Sequence, residues 1–217
     1  MGIGVEIYDY DEKRGDYADR DGLSLRVSVT ANTRKAIQYS YVDVGLIDWV
    51  DPAGLTDTNI TSDGGGCWLD LPFPVRFYGG PGAKNTSFTY SRVWVSANGF
   101  LCFNGESYSP SPQLLPDPAE PNGIIAVFWT DLNPSGGKIT YGYDAAKEIF
   151  VIGWYNVLNE ANGERITFEV IIEKARYGGY PADYAYARGQ NGIKLLYQTV
   201  SGSGVAGVEN QEGSIGT

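Results

Sequence analysis

Leu71-Pro72-Phe73-Pro74-Val75-Arg76-Phe77-Tyr78-Gly79 is followed by Val93-Trp94-Val95-Ser96-Ala97-Asn98-Gly99-Phe100, and later by Phe128-Trp129-Thr130-Asp131-Leu132-Asn133-Pro134. Each run gathers aromatic and β-branched residues in a short stretch and ends it on Gly, Asn or Pro, as a strand closed by a turn does. No long stretch sets apolar residues at helical spacing, and 29 Gly, 11 Pro and 16 Tyr in 217 residues suit many short strands with tight connections.

The pattern extends in both directions from these runs. Ile124–Trp129 is apolar throughout, as a strand covered on both faces would be. Lys138–Tyr143 and Glu148–Val157 read as a hairpin around Asp144-Ala145-Ala146. In the next run Ile166, Phe168, Val170 and Ile172 alternate with Arg165, Thr167, Glu169 and Glu173, so the first set points inward and the second to solvent. Asn98-Gly99 and Asn104-Gly105 are hairpin signals. Ile193–Val200 and Val205–Glu209 form a last pair of strands. Between Phe103 and Ile124 three X-Pro clusters keep a Pro/Ser coil extended and off the sheet interior. The expectation is an all-β domain, a β-sandwich of jelly-roll type with ten to twelve strands. Residues 1–35 read as a strand pair with an acidic loop packed on the main domain, 36–217.

Composition narrows function. Sixteen basic against 26 acidic residues give a net charge of −10, which disfavours nucleic acid as a partner. Histidine is absent, which removes the usual general base at neutral pH, the common zinc ligand and every His-activated nucleophile. There is no apolar run of membrane-spanning length, and Met1-Gly2-Ile3-Gly4 is no secretion signal. A native cytoplasmic start is one reading; the preferred one is a segment excised from a longer secreted protein, with a vector-derived start.

Cys67 and Cys102 suggest a bridge. If 67–78 and 92–103 form one hairpin with Tyr78 opposite Arg92, the two cysteines face each other near its open end, at a spacing a disulfide can close. Such a bond would contribute roughly 3–4 kcal/mol. Two buried thiols are the alternative.

In their order, Leu-Pro-Phe-Pro-Val-Arg-Phe-Tyr-Gly at 71–79, Val-Ser-Ala-Asn-Gly-Phe at 95–100, Pro-Asn-Gly-Ile-Ile-Ala at 121–126 and Phe-Trp-Thr-Asp-Leu-Asn-Pro at 128–134 resemble the nidogen-like module. Phe150–Val157, ending in Trp-Tyr-Asn-Val, is similar to an apolar strand of that family, and 167–172 and 206–213 complete the set. The pattern recurs in secreted and surface proteins of bacteria and archaea. The likeness spans roughly 40–217 and implies an extracellular, non-catalytic domain, with no active site to carry over. The section 3–35 and the insertion 175–191 have no counterpart in it.

That insertion is the first candidate site. Arg176, Tyr177, Tyr180, Tyr184, Tyr186 and Arg188 give an aromatic composition, locally positive on an acidic protein, that suits a contact loop; a lid folded on the sandwich end is the plainer reading. The second is the acidic loop with Asp9, Asp11, Asp16, Asp19 and Asp21, whose oxygens suit Ca²⁺ although the spacing is not that of an EF-hand; a solvated turn is the alternative. Asn59 and Asn85 fit the N-glycosylation pattern. Asp131 reads as a turn cap bonding nearby amides. No catalytic residue is selected and no cofactor other than Ca²⁺ is suggested.

The reading is a non-catalytic extracellular domain for adhesion, surface attachment or assembly, meeting a protein surface or identical subunits. An accessory carbohydrate- or substrate-binding module of a secreted hydrolase, stacking sugars on Tyr177, Tyr180 or Tyr184, is the second reading. A glycosidase would need two acids roughly 5–9 Å apart in one cleft.

Overall fold

The computed structural model describes residues 3–5, 25–28, 49–77, 88–113, 115, 119–175 and 191–208. In chain order the strands are β1 (Ile3–Val5), β2 (Leu25–Ser28), β3 (Thr56–Asp57), β4 (Gly66–Phe77), β5 (Phe88–Ser96), β6 (Phe100–Cys102) and β7 (Ile124–Trp129). They continue with β8 (Leu132–Asn133), β9 (Lys138–Asp144), β10 (Ile149–Asn159), β11 (Arg165–Glu173), β12 (Gly192–Thr199) and β13 (Val205–Val208). Eleven of them are longer than two residues, and among the described residues a single 3₁₀ turn, Pro52–Gly54, is the only helical element. The all-β sandwich expected from the turn and strand pattern is what forms.

Two antiparallel sheets make it. One has the order β13-β7-β6-β5-β4; the other has eight strands built on β1-β12-β11-β10-β9-β3, with β2 against β12 and β8 against β10. Period-two alternation decides which side chains meet between them. Val93, Val95, Leu101, Ile125 and Val127 from the first sheet pack on Phe150, Ile152, Trp154, Phe168, Val170 and Leu195 from the second. Hydrogen bonds cross this interior as well: Trp154 Nε1–H donates to Ser96 O at 3.0 Å, and the Tyr197 hydroxyl donates to Val127 O. The Trp154 ring also stacks on Phe168, with centroids 5.1 Å apart.

The opening run of the sequence is an edge strand. In β4 the pairing to β5 slips between Asp70 and Val75, and within that bulge Pro72 and Pro74 are exposed while Phe73 is buried in the core. A proline offers no N–H to a further strand, so the two prolines interrupt the open edge where a neighbour would pair. Asn156 marks a second bulge, in β10. Its φ is +56°, the register shifts between Trp154 and Val157, and its side chain donates to Gly136 O at 3.1 Å.

Three local expectations are corrected. Residues 92–103 are not one strand: Ala97-Asn98-Gly99 turns the chain, and β5 and β6 are neighbours of each other. Asn98-Gly99 is thus the hairpin it signals, whereas Asn104-Gly105 opens the coil. The last two strands do not pair, since β12 lies in the eight-stranded sheet and β13 returns to β7. Glu169, placed among outward solvated residues by its alternation, does point away from the core but is wholly buried, because another segment covers that face. At the N-terminal end, β1 pairs with β12, Gly4 opposite Leu196, and β2 meets the same strand at Gly192 and Ser28. The acidic loop with Asp9, Asp11, Asp16, Asp19 and Asp21 lies outside the described residues.

Candidate functional site

An apolar β7 needs a cover on its outer face, and the coil between β6 and β7 supplies it. Trp94, Phe100, Cys102, Ile124, Ala126 and Trp129 form a second buried cluster on that side of the five-stranded sheet, with Trp68, Leu115 and Val205 packed against it. The described residues between 104 and 123 cross this face as a strap. Three consecutive strap carbonyls accept hydrogen bonds from sheet side chains: Ser107 O from Trp94 Nε1–H at 2.9 Å, Tyr108 O from Asn98 Nδ2–H at 3.1 Å, and Ser109 O from Trp129 Nε1–H at 2.9 Å. Residues 107–109 lie in no strand, so their carbonyls need donors from elsewhere, and the indoles and the amide satisfy them.

Asn98 is the hub of this arrangement. It is fully buried, and its Oδ1 accepts Leu132 N–H at 2.9 Å while its amide nitrogen holds the strap. Next to it Gly99 has φ +78°, and a Cβ there would lie 2.3 Å from Phe128 O. The Ala-Asn-Gly turn therefore needs these residue types for backbone reasons. The cap expected of Asp131 is made by Asn98 instead. The Asp131 carboxyl, partly desolvated and close to Asp63 and Glu160, is held above the usual carboxylate range.

Along the strap's open side lies a cleft of about 420 Å³, lined among others by Cys102, Asn104, Glu106, Ser107, Glu120 and Pro121. Its polar side chains are already oriented by the protein. Glu106 accepts Trp68 Nε1–H at 3.0 Å on one oxygen and the Tyr108 hydroxyl at 2.9 Å on the other. Asn104 accepts the Tyr90 hydroxyl at 2.9 Å and donates to Asn122 O at 3.2 Å, while Glu120 Oε2 accepts Asn122 N–H at 3.0 Å. The Tyr108 ring meets Trp94 edge-on at 5.2 Å, and its hydrogen bond to Glu106 pushes the phenol's pKa up. Trp68 carries the Arg92 guanidinium 4.2 Å from its ring centroid.

No bridge joins the cysteines. Cys67 stands opposite Val95 and Cys102 opposite Trp94, so β5 separates them and adjacent β5 residues put them on opposite faces of the sheet. Two strand spacings, roughly 10 Å, exceed what a disulfide spans. Both are free thiols, each raised above the ordinary cysteine value by burial, and Cys102 donates to Asn122 O at 3.4 Å.

Of the remaining expected sites only Asn59 falls among the described residues. Arg176, Tyr177, Tyr180, Tyr184, Tyr186 and Arg188 lie outside the described residues, as does Asn85. Asn59 is exposed in the turn after β3, at φ +61°. The cleft residues Glu106 and Glu120, and Tyr108 bonded to Glu106, were not singled out by the sequence; the signal that could have found them is the doubly apolar β7, which demands a cover from the coil just before it.

No curated protein and no solved structure matches the chain. A family model described as NIDO related matches residues 37–176, which take in β3 to β11 and the strap. Among the described residues no helix is long and apolar enough to cross a membrane. The family is one of non-catalytic modules and points to an extracellular setting. With 140 of 217 residues inside the match, the chain belongs to the NIDO-related, that is nidogen-related, family.

Proposed function

We propose that this domain is a non-catalytic extracellular contact module that serves adhesion, surface attachment or assembly, with the loop between β11 and β12 as its protein-binding surface. The observation that carries the reading is the way that loop's stems are fixed. Asn191 Nδ2–H donates to Glu173 O at 2.9 Å, Lys174 N–H donates to Glu148 O at 2.9 Å, and Lys174 and Lys194 pair with Glu148 and Glu173 at 2.6 and 2.8 Å. Fixed stems lower the entropy lost when the residues between them meet a partner. Between the stems the sequence places Arg176, Tyr177, Tyr180, Tyr184, Tyr186 and Arg188, residue types enriched where binding energy concentrates. On a chain of net charge −10, an aromatic and locally basic loop favours an acidic protein surface, a second copy of the chain included. Ca²⁺ held by Asp9, Asp11, Asp16, Asp19 and Asp21 belongs to the same proposal as an aid to assembly.

The test is the molar mass in solution by light scattering, with and without Ca²⁺, for the wild type and for a variant with Tyr177, Tyr180, Tyr184 and Tyr186 all changed to Ala. Assembly that the four substitutions abolish is the expected result. A mass that stays near 23.6 kDa in all conditions removes self-assembly, and assembly untouched by the substitutions removes the loop.

A further inference from the structure

We infer that the cleft beside the strap is a binding site for a neutral oligosaccharide. It is a different surface from the β11–β12 loop and goes beyond the contact reading. Three observations meet there. First, the space is a cleft of about 420 Å³, within the range of small-molecule sites. Second, its hydrogen-bonding groups are fixed before any ligand arrives: Glu106 by Trp68 and Tyr108, Asn104 by Tyr90 and Asn122, Glu120 by the Asn122 amide. Each carboxylate oxygen has a second lone pair, so both acids can still accept hydroxyl protons. Third, Tyr108 stands next to the cleft's lining, its hydroxyl on the lining residue Glu106, and is half exposed, at 50 %, the most exposed large apolar side chain among the described residues. It is nonetheless held at both ends, by its hydroxyl on Glu106 and by its ring against Trp94.

An exposed aromatic ring held on Glu106 at the margin of a cleft that also presents Glu120 matches the two-sided chemistry of a sugar ring. The axial C–H face packs on the aromatic, and the hydroxyls at the rim donate to the acids. Because order is already present, little conformational entropy is lost on binding. The same two acids repel an anionic saccharide, which sets the class as neutral.

The test uses the whole domain with cellohexaose, xylohexaose, mannohexaose and chitohexaose as probes and polygalacturonate as the acidic comparison. Binding is read as saturable change in tryptophan emission, since Trp68 and Trp94 adjoin the cleft. The expected result is that at least one neutral hexaose binds, polygalacturonate does not, and Tyr108→Ala or Glu120→Gln weakens binding at least ten-fold. Glu120→Gln keeps a side-chain oxygen for the Asn122 amide, and both substituted side chains are exposed, so unchanged unfolding midpoints separate lost binding from lost fold. The four-tyrosine loop variant binds as wild type does. Absence of binding by all four hexaoses at millimolar concentration overturns the inference. So does binding that survives both cleft variants, or polygalacturonate binding of equal strength. A loop variant that alone loses the sugar would instead place saccharide recognition on the contact loop.

Discussion

On the outer face of the five-stranded sheet, three successive strap carbonyls are each held by a different sheet side chain, Trp94, Asn98 and Trp129. On the outer face of the eight-stranded sheet the cover is Trp49 to Leu55, packed over Ile149, Val151, Ile171 and Leu196, and its polar anchor is Glu169. That carboxylate is fully buried and accepts Val50 N–H and the Tyr155 hydroxyl, both at 2.9 Å. Burial and the adjacent carboxylate push the Tyr155 phenol's pKa far up, so it remains a donor at any ordinary pH. Among the described residues one cover is thus fastened by several neutral groups, whereas the other centres on a buried carboxylate, beside the pairing of β3 with β9. The difference sets how each face should respond to damage: gradually on the strap side, abruptly on the other.

The largest effect is expected at Glu169. Glu169→Ala strips the acceptor from a part-buried amide and a buried hydroxyl, and should cost about 3 kcal/mol in urea unfolding. A cost below about 1 kcal/mol would mean that apolar packing of Trp49, Val50 and Leu55 alone secures that face. Asn98→Ala comes next, at about 2 kcal/mol, because it leaves Leu132 N–H and Tyr108 O without their partner. It also offers a sharper readout. Cys102 lies beneath the strap, so its modification by an aromatic disulfide reagent in the absence of denaturant should accelerate in Asn98→Ala. In Glu169→Ala the same rate should stay at the wild-type value. If both variants speed it equally, the two covers open together and the contrast between them fails. Trp94→Phe and Trp129→Phe should each cost only about 1–2 kcal/mol, since two of the three carbonyl fastenings and the Trp68–Glu106 bond remain.

These contrasts were only partly visible in the chain itself. Alternation placed Phe168, Val170 and Ile172 in the core correctly because a period of two depends on the strand alone. The same reasoning put Glu169 in water, because alternation tells which face a residue takes and not what lies on that face. The cysteine pairing failed for a related reason. A run such as Val93 to Phe103 looks continuous in composition, and its one interruption, Asn98-Gly99, moves Cys102 onto a third strand and the opposite face. The strap was legible as proline-rich coil, but its role depends on Trp94 and Trp129, which are ordinary strand residues until their indole N–H groups are seen to need partners. Leu71-Pro72-Phe73-Pro74 was legible as a strand; that it lies at the edge of its sheet among the described residues agrees with its two prolines, a signal the strand reading did not use.

The smallest effect concerns a group that belongs to neither cover. Asp131 sits where the chain leaves β7 for β8, and partial burial together with Asp63 and Glu160 raises its pKa. A raised carboxyl binds its proton more tightly in the folded chain than in the unfolded one. The wild type therefore loses stability as pH climbs from the ordinary aspartate value through the raised one, and the deficit is constant above that. Asp131→Asn carries no such charge, so it should exceed the wild type in stability at neutral pH and match it near pH 3. Solvent screening of this largely accessible group limits the gain to less than about 0.5 kcal/mol. Urea midpoints at the two pH values measure it. A variant less stable than wild type at neutral pH would mean that the Asp131 carboxylate, and not Asn98 alone, holds the turn after β7, and the strap's hub would then have to be shared between them.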